Sequence, residues 1–213
     1  MDRRHEPEIL DGNGLPDELV WRAYRDIARI HRWLGDTHFM IRAIRRDCDR
    51  VRRILDVGCG TGLVLEHVRR KLRVEGLGVE LNLRRAITTN PVLQADAIRD
   101  SLPTADVAFS MHLGHHLSEG ELVDLIRNVG RYCRRFILLD LVRHPLPLVL
   151  FRIFVAPFVC RIVALDGQKS IRRAYTPDEL RHIAAAALVD SGGSFRQYVA
   201  PLYARQVVDI LYR

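Results

Sequence analysis

The chain has 213 residues, 48% of them hydrophobic and 28% charged, with a formal net charge of +7. That length suits one domain with a substantial core and excludes two large ones, and the ordinary charged fraction excludes disorder by composition. The positive excess suits nucleic acid or an anionic surface, but Lys71 and Lys169 are the only lysines, so the excess reads as an arginine bias of the whole chain. Cys48, Cys59, Cys133 and Cys160 form no CxxC pair and no metal spacing, which fits a reducing compartment. The opening stretch "MDRRHEPEILDGNG" has no apolar core. It is not a secretion signal, and a cytoplasmic protein is expected.

Residues 15 to 50 read as helical. Leu19, Val20, Ala23, Ile27, Ile30 and Leu34 recur at helical spacing, Pro16 suits a first turn, and Gly35 ends the run. A second helix is expected over Thr37 to Arg46. From Arg53 short apolar strands alternate with amphipathic helices, the sign of a parallel sheet covered on both faces. Candidate strands are Ile54–Val57, Glu75–Val79, Leu93–Ala95, Val107–Ser110 and Phe136–Leu141, with two more in "SFRQYVAPLYARQVVDILYR". Candidate helices are Gly62–Lys71, Leu83–Thr89, Glu119–Cys133 and Pro177–Leu188, the last opened by a Thr176/Glu179 capping box. The expected architecture is therefore α/β, a Rossmann-like, mostly parallel seven-stranded sheet. N-terminal helices (1–50, a lid) precede the main domain (51–213), and 145–175 forms a pocket-forming insertion. Within it, "PLPLVLFRIFVAPFVCRIVAL" is long enough to cross a bilayer. Arg152 and Arg161 interrupt it, and a central arginine costs roughly 2.5–3.5 kcal/mol on insertion. A buried or pocket-lining helical segment is expected there, with membrane contact a minor alternative.

"LDVGCGTG" places Gly58, Gly60 and Gly62 directly after a strand. Glycines let the backbone turn sharply and approach a ligand. The third glycine falls one place too early for the pyrophosphate fingerprint G-x-G-x-x-G. A second strand then ends in Glu80, where a carboxylate can accept from both hydroxyls of a ribose. "LQADAI" ends a third strand at Asp96, which can accept from an adenine amino group.

The ordered set "ILDVGCGTG", "GVELN" and "QADAI" resembles the class I S-adenosylmethionine-dependent methyltransferases over roughly Ile54 to Leu141. The resemblance implies a cofactor, S-adenosyl-L-methionine, leaving as S-adenosyl-L-homocysteine. Asp56, Gly58, Gly60 and Gly62 would cradle its methionine part, Glu80 its ribose, and Leu81, Asp96 and Ala97 its adenine, with Ser110 nearby. The region after the fourth strand, "ADVAFSMHLGHHLSEGEL", lacks the Asn/Asp-Pro-Pro-Tyr/Phe motif of adenine and amide methylases. "HLGHHLSE" is similar instead to the "LHHL" stretch of small-molecule methyltransferases. His115 and His116 are the candidate catalytic residues, since histidine takes a proton near neutral pH. No metal is expected, because no carboxylate accompanies the histidines at ligand spacing.

"DIARIHRWLG", "DLVRHP" and "DGQKSIRRAYTPDEL" resemble methyltransferases found with bacterial type III polyketide synthases, thought to O-methylate phenolic or quinone-like products. This implies natural-product biosynthesis and a small, apolar or aromatic hydroxyl acceptor, with Met111, Phe151, Phe154 and Arg173 as candidate contacts. Leu148, Val155 and Phe158 could extend the apolar wall. Arg172 and Arg173 with Asp166 read as a solvated loop or a polar latch. Alternatives are C-methylation of a quinone-type substrate, RNA methylation through "RAIRRDCDRVRR", and a catalytically idle cofactor-binding protein. No separate RNA-binding module is visible, so a nucleic-acid partner is not expected. A homodimer is compatible with the sequence.

Overall fold

A computed structural model describes residues 1–12, 14–46, 51–83, 90–189 and 191–213. The expected helix Leu83–Thr89 and the centre of the basic stretch, 47–50, lie largely or wholly outside the described residues. After a strap that ends in a short 3-10 turn (Ile9–Asp11), the elements in chain order are α1 (Asp17–Trp33), α2 (Asp36–Arg45), β1 (Arg53–Val57), α3 (Leu63–Leu72), β2 (Glu75–Glu80), β3 (Val92–Gln94), β4 (Ala105–Met111), α4 (Glu119–Gly130), β5 (Cys133–Asp140), α5 (Pro145–Phe154), α6 (Arg161–Arg173), α7 (Pro177–Leu188), β6 (Ser194–Val199) and β7 (Gln206–Leu211). Seven strands form one sheet in the order β3-β2-β1-β4-β5-β7-β6. All pairs are parallel except the two made by β7.

The strands read as near-continuous apolar runs because both faces of the sheet are covered. Successive residues of β5 point opposite ways: Phe136 and Leu138 join the core under α4 and α7, while Ile137 and Leu139 join the core under α2 and α3. On the first face Leu122, Ile126, Leu180 and Ala184 close the core, and on the second Met40, Ile44, Leu65 and Val68 do so. The helix α2 is thus part of a sheet face, packed beside α3.

Two boundaries shift from the sequence reading. The helix expected to reach Cys133 stops at Gly130, because Cys133 already pairs with Ala105 and begins β5. The expected apolar segment becomes two helices, α5 and α6, broken by a 3-10 turn at Ala156–Phe158. Pro157 and the extended Val159 and Cys160 prevent continuation. That segment is only half buried: Ile153, Phe154 and Phe158 face outward. Among the described residues no helix is long and apolar enough to cross a membrane. Arg172 and Arg173 lie in the last turn of α6, not in a loop.

The capping box of α7 forms as expected, with Thr176 accepting from the Glu179 N–H and the Glu179 carboxylate accepting from the Thr176 N–H at 2.8 Å. Thr176→Ala is expected to lower stability by about 1 kcal/mol, or roughly 2–4 °C in melting temperature for a chain of this length. Calorimetric melting checks it; an unchanged midpoint removes the cap from the stability account.

Strand order reverses between β1 and β4. Ligands of open α/β sheets bind beyond the carboxyl ends of the strands at such a switch point. Over that point the chain places α1, α5, α6 and the N-terminal strap. The strap is fastened by Arg3, which donates to the carbonyls of Leu117 and Arg173 and lies 3.8 Å over the Tyr175 ring. Asp166 of α6 completes the fastening by accepting from the Ile9 and Leu10 N–H groups at 2.8 and 3.0 Å.

Candidate active site

A cavity of about 660 Å³ opens at the switch point, within the range of small-molecule sites. One wall is the glycine turn. Gly58, Gly60 and Gly62 have φ of 71°, 53° and 73°, the left-handed region that glycine enters at little cost. A side chain at Gly58 would also press on Leu113 at 3.0 Å. The turn is tied to β2 by the Gly58 and Cys59 N–H groups, both donating to the Val79 carbonyl. Asp56, Gly58, Gly60, Glu80, Leu81, Asp96 and Ala97 all line the cavity. Gly62 stands outside the lining as the residue that starts α3. Ser110 is also outside it: buried within β4, its hydroxyl donates to the Val57 carbonyl at 2.8 Å.

The electrostatics of this wall favour a cation. Glu80 accepts from the Gly60 N–H at 2.8 Å and from the Asn82 N–H at 3.1 Å. Asp56 is buried, and burial followed by the Glu80 charge pushes its carboxyl well above the usual range. A raised carboxyl binds its proton more tightly folded than unfolded. The ionised group therefore costs stability as pH rises from about 3.9 through the folded value. Asp56→Asn is expected to stabilise the ligand-free protein at neutral pH by on the order of 1 kcal/mol. The advantage should vanish below about pH 3.9, where Asp56 is protonated in both folded and unfolded states. Melting of both proteins across pH checks this; an equal difference at every pH contradicts it.

The opposite wall is built from the strap, α1, α6 and the turn after β4. Leu10, Tyr24, Ile27, Ile30, Phe151 and Ile171 give it an apolar lining. Phe151 packs so closely on Gly167 that an added Cβ there would lie 2.3 Å from its ring, which locks α5 on α6. Met111 and Phe151 line the cavity. Phe154 does not: it is 65% exposed on the outer side of α5. Arg173 lies beyond the lining and pairs with Asp11 at 3.2 Å.

Two groups of histidines and carboxylates meet at this wall. In the first, His115 is buried, with its Nδ1 2.7 Å from Asp140 Oδ1 and its Nε2 3.5 Å from Glu8 Oε1. Burial would push the imidazole down, but Asp140 and then Glu8 outweigh it and hold it up at about 9. Burial would raise Asp140 and Glu8; His115, joined by His112 at Asp140 and by His116 and Ser170 at Glu8, keeps them below the ordinary carboxylate range. His116 is more open, 3.9 Å from Glu8 and 3.6 Å from Asp11. In the second, Asp36 lies 3.2 Å from His31 Nδ1 and 3.4 Å from His112 Nε2, while Arg205 pairs with its other oxygen at 2.5 Å. The rings of His31 and His112 stack at 4.6 Å. Burial keeps His31 below its usual value against the pull of Asp36.

No carboxylate stands at ligand spacing from the histidines in the sequence; in the fold Glu8 and Asp11 reach them from more than a hundred residues away. Glu8, His31, Asp36 and Asp140 were not legible as site residues. Asp140 had one signal, its place at the end of a strand in "LLDLVRHP".

The methyltransferase domain family matches residues 25–143, more than half of the chain. No curated protein sequence shows significant similarity. Among solved structures, the plantazolicin methyltransferase BpumL in complex with a triazolic desmethylPZN analog and SAH superposes with a TM-score of 0.68 at 10% identity, covering 92% of this chain and 95% of that one. The methyltransferase domain of bacterial-CtHen1-C gives 0.62 at 14% identity, covering 83% and 96%. A putative O-methyltransferase of Nostoc punctiforme PCC 73102 gives 0.59 at 14% identity, covering 84% and 56%. At these identities the structural likeness establishes the fold, and the match along the sequence establishes the family: this chain belongs to the methyltransferase domain family.

Proposed function

We propose that the protein is an S-adenosylmethionine-dependent methyltransferase that transfers its methyl group to the hydroxyl of a small, apolar or aromatic acceptor. The observation that carries this reading is one cavity with two unlike walls. The glycine turn, Glu80 and Asp96 form one, and histidine–carboxylate pairs set in an apolar surface form the other. Asp56, Gly58 and Gly60 hold the methionine part, Glu80 the ribose, and Leu81, Asp96 and Ala97 the adenine. Gly62 acts at one remove by setting the start of α3, and Ser110 by fixing β4 to β1. The buried Asp56–Glu80 pair welcomes the positive charge of the amino group and the sulfonium. The N-terminal strap, α1 and helices α5 and α6 of the insertion close the acceptor side, where Met111 and Phe151 meet the substrate. The SAH complexes of BpumL support the cofactor, and the Nostoc protein supports oxygen as the acceptor atom.

The chemistry asks little covalent work of the protein, which orients an in-line attack and excludes water. His112 Nδ1, 3.9 Å from Asp140 and so beyond hydrogen-bond reach of it, takes the hydroxyl proton. S-adenosylmethionine, when bound, would supply the methyl carbon to the freed oxygen, with the electron pair of the broken carbon–sulfur bond left on sulfur. Asp36 Oδ2 lies 3.4 Å from the other nitrogen, longer than a good hydrogen bond, and its charge orients the ring. His115, whose proton is held between Asp140 and Glu8, is a poorer base. Titration calorimetry with S-adenosylmethionine and its demethylated product tests the cofactor. Transfer of a labelled methyl group to phenolic, quinone and alkylresorcinol acceptors tests the reaction. Failure to bind either cofactor form at millimolar concentration would sink the reading.

A further inference from the structure

We propose that Glu8, His115 and His116 form a binding site for one divalent transition-metal ion of the zinc class, with an open position facing the cavity. His115 Nε2, His116 and the Glu8 carboxylate bring one ligand atom each to within 4.8 Å of one another. The separations are 3.5 Å from His115 Nε2 to Glu8 Oε1 and 3.9 Å from His116 Nε2 to Glu8 Oε2. These exceed the 2.7–3.2 Å of good hydrogen bonds. A tetrahedral ion with bonds of about 2.0–2.1 Å spaces its ligand atoms about 3.3 Å apart, which small side-chain movements reach from here.

The surroundings repeat a pattern of metal sites. A ligating histidine turns its other nitrogen to a carboxylate, which fixes the tautomer and aims the free lone pair. His115 does so, its Nδ1 meeting Asp140 at 2.7 Å, while His116 Nδ1 lies 3.6 Å from Asp11, beyond hydrogen-bond length but on the same side. The carboxylate ligand is held as well, with Glu8 Oε1 accepting from the Ser170 hydroxyl at 2.7 Å. Charge points the same way. Among the described residues, Glu8, Asp11 and Asp140 have one arginine between them, Arg173, at 4.0 Å from Glu8 and 3.2 Å from Asp11. The neighbouring group of His31, Asp36 and His112 is a poorer cation site, since Arg205 already pairs with Asp36 at 2.5 Å.

Two histidines and one glutamate leave a fourth position for water or an acceptor oxygen, as in zinc sites that do chemistry. A hydroxyl bound there would lose its proton more readily. That consequence rests on the proposed methyl transfer; the metal site itself does not.

The test uses the full chain, stripped with a chelator and reloaded with Zn²⁺ or Co²⁺. One equivalent should stay bound after desalting, by elemental analysis, and Co²⁺ should give a visible d–d spectrum. Glu8→Gln and His116→Ala should each weaken binding at least 10-fold. Asp140→Asn, a second-layer change, should weaken it by about 10–100-fold. Glu8 lies on the strap outside the sheet cores, so Glu8→Gln is readable even where a change at His115 impairs folding. Absence of stoichiometric metal overturns the proposal. So does equal retention in Glu8→Gln and His116→Ala, or loss only in His31→Ala, which would move the ion to the other group. Cofactor affinity is measured on the same samples. Metal binding without cofactor binding refutes the methyltransferase reading and leaves the metal site standing, and the reverse refutes only the site.

Discussion

Glu80→Ala is expected to weaken binding of S-adenosylmethionine by about 10–100-fold, the loss that one or two hydrogen bonds to a charged acceptor produce. Glu80 ends β2, is buried, and is pinned from two sides by the Gly60 and Asn82 N–H groups. Each carboxylate oxygen can accept a second hydrogen bond, and the cavity is where that capacity remains. The pinning makes the group an acceptor already in position, so a ribose meets it without the cost of ordering a side chain. Alanine removes the acceptor and also frees the Gly60 N–H, so the glycine turn loses a tie. Glu80→Gln keeps the shape but turns one oxygen into a donor, and a smaller loss is expected. Calorimetry with the demethylated cofactor separates the two variants, with melting curves confirming that both fold. An affinity unchanged in Glu80→Ala would take the ribose away from this residue.

How much of this was visible in the sequence depends on how local each signal is. The glycine turn, Glu80 and Asp96 are strand-end features, and an alternating pattern of strands and helices places strand ends together at one edge of a sheet. The seven strands follow the same logic, because parallel strands buried on both faces leave apolar runs that periodicity finds. The acceptor wall has no such register. Glu8 reaches His115 because Arg3, Ile9 and Leu10 fasten the strap to α6 and the turn after β4, contacts between residues more than a hundred positions apart. Nothing in "MDRRHEPEILDG" announces them. Phe154 misled for the opposite reason. It lies three residues after Phe151, a spacing that places both near one helix face, but it is the last residue of α5, just before the 3-10 break, and it faces outward. Asp36 follows the left-handed Gly35 that separates α1 from α2, and only that corner brings it to His31 and His112.

His112→Asn is expected to lower kcat by about 10²–10⁴-fold, the usual worth of a positioned general base, while leaving cofactor affinity within about 2-fold. His112 follows β4 with φ of 59°, a left-handed backbone that non-glycine residues seldom adopt. Such strain is held by its surroundings and gathers at functional sites. Here the His112 N–H donates to the Leu139 carbonyl at 2.8 Å, fixing the backbone where the fourth strand ends. Asparagine tolerates this conformation better than most residues, so the substitution removes the imidazole without adding backbone strain. Asp36→Asn should fall in the same direction by a smaller factor, since it leaves the ring in place and weakens only its orientation. The double variant should be little worse than His112→Asn alone, because groups that act as one unit do not add. A full additive loss would mean that Asp36 and His112 serve separate steps. A kcat unchanged in His112→Asn would remove this residue as the base and pass the proton to the acceptor's own acidity, or to an ion held by Glu8, His115 and His116.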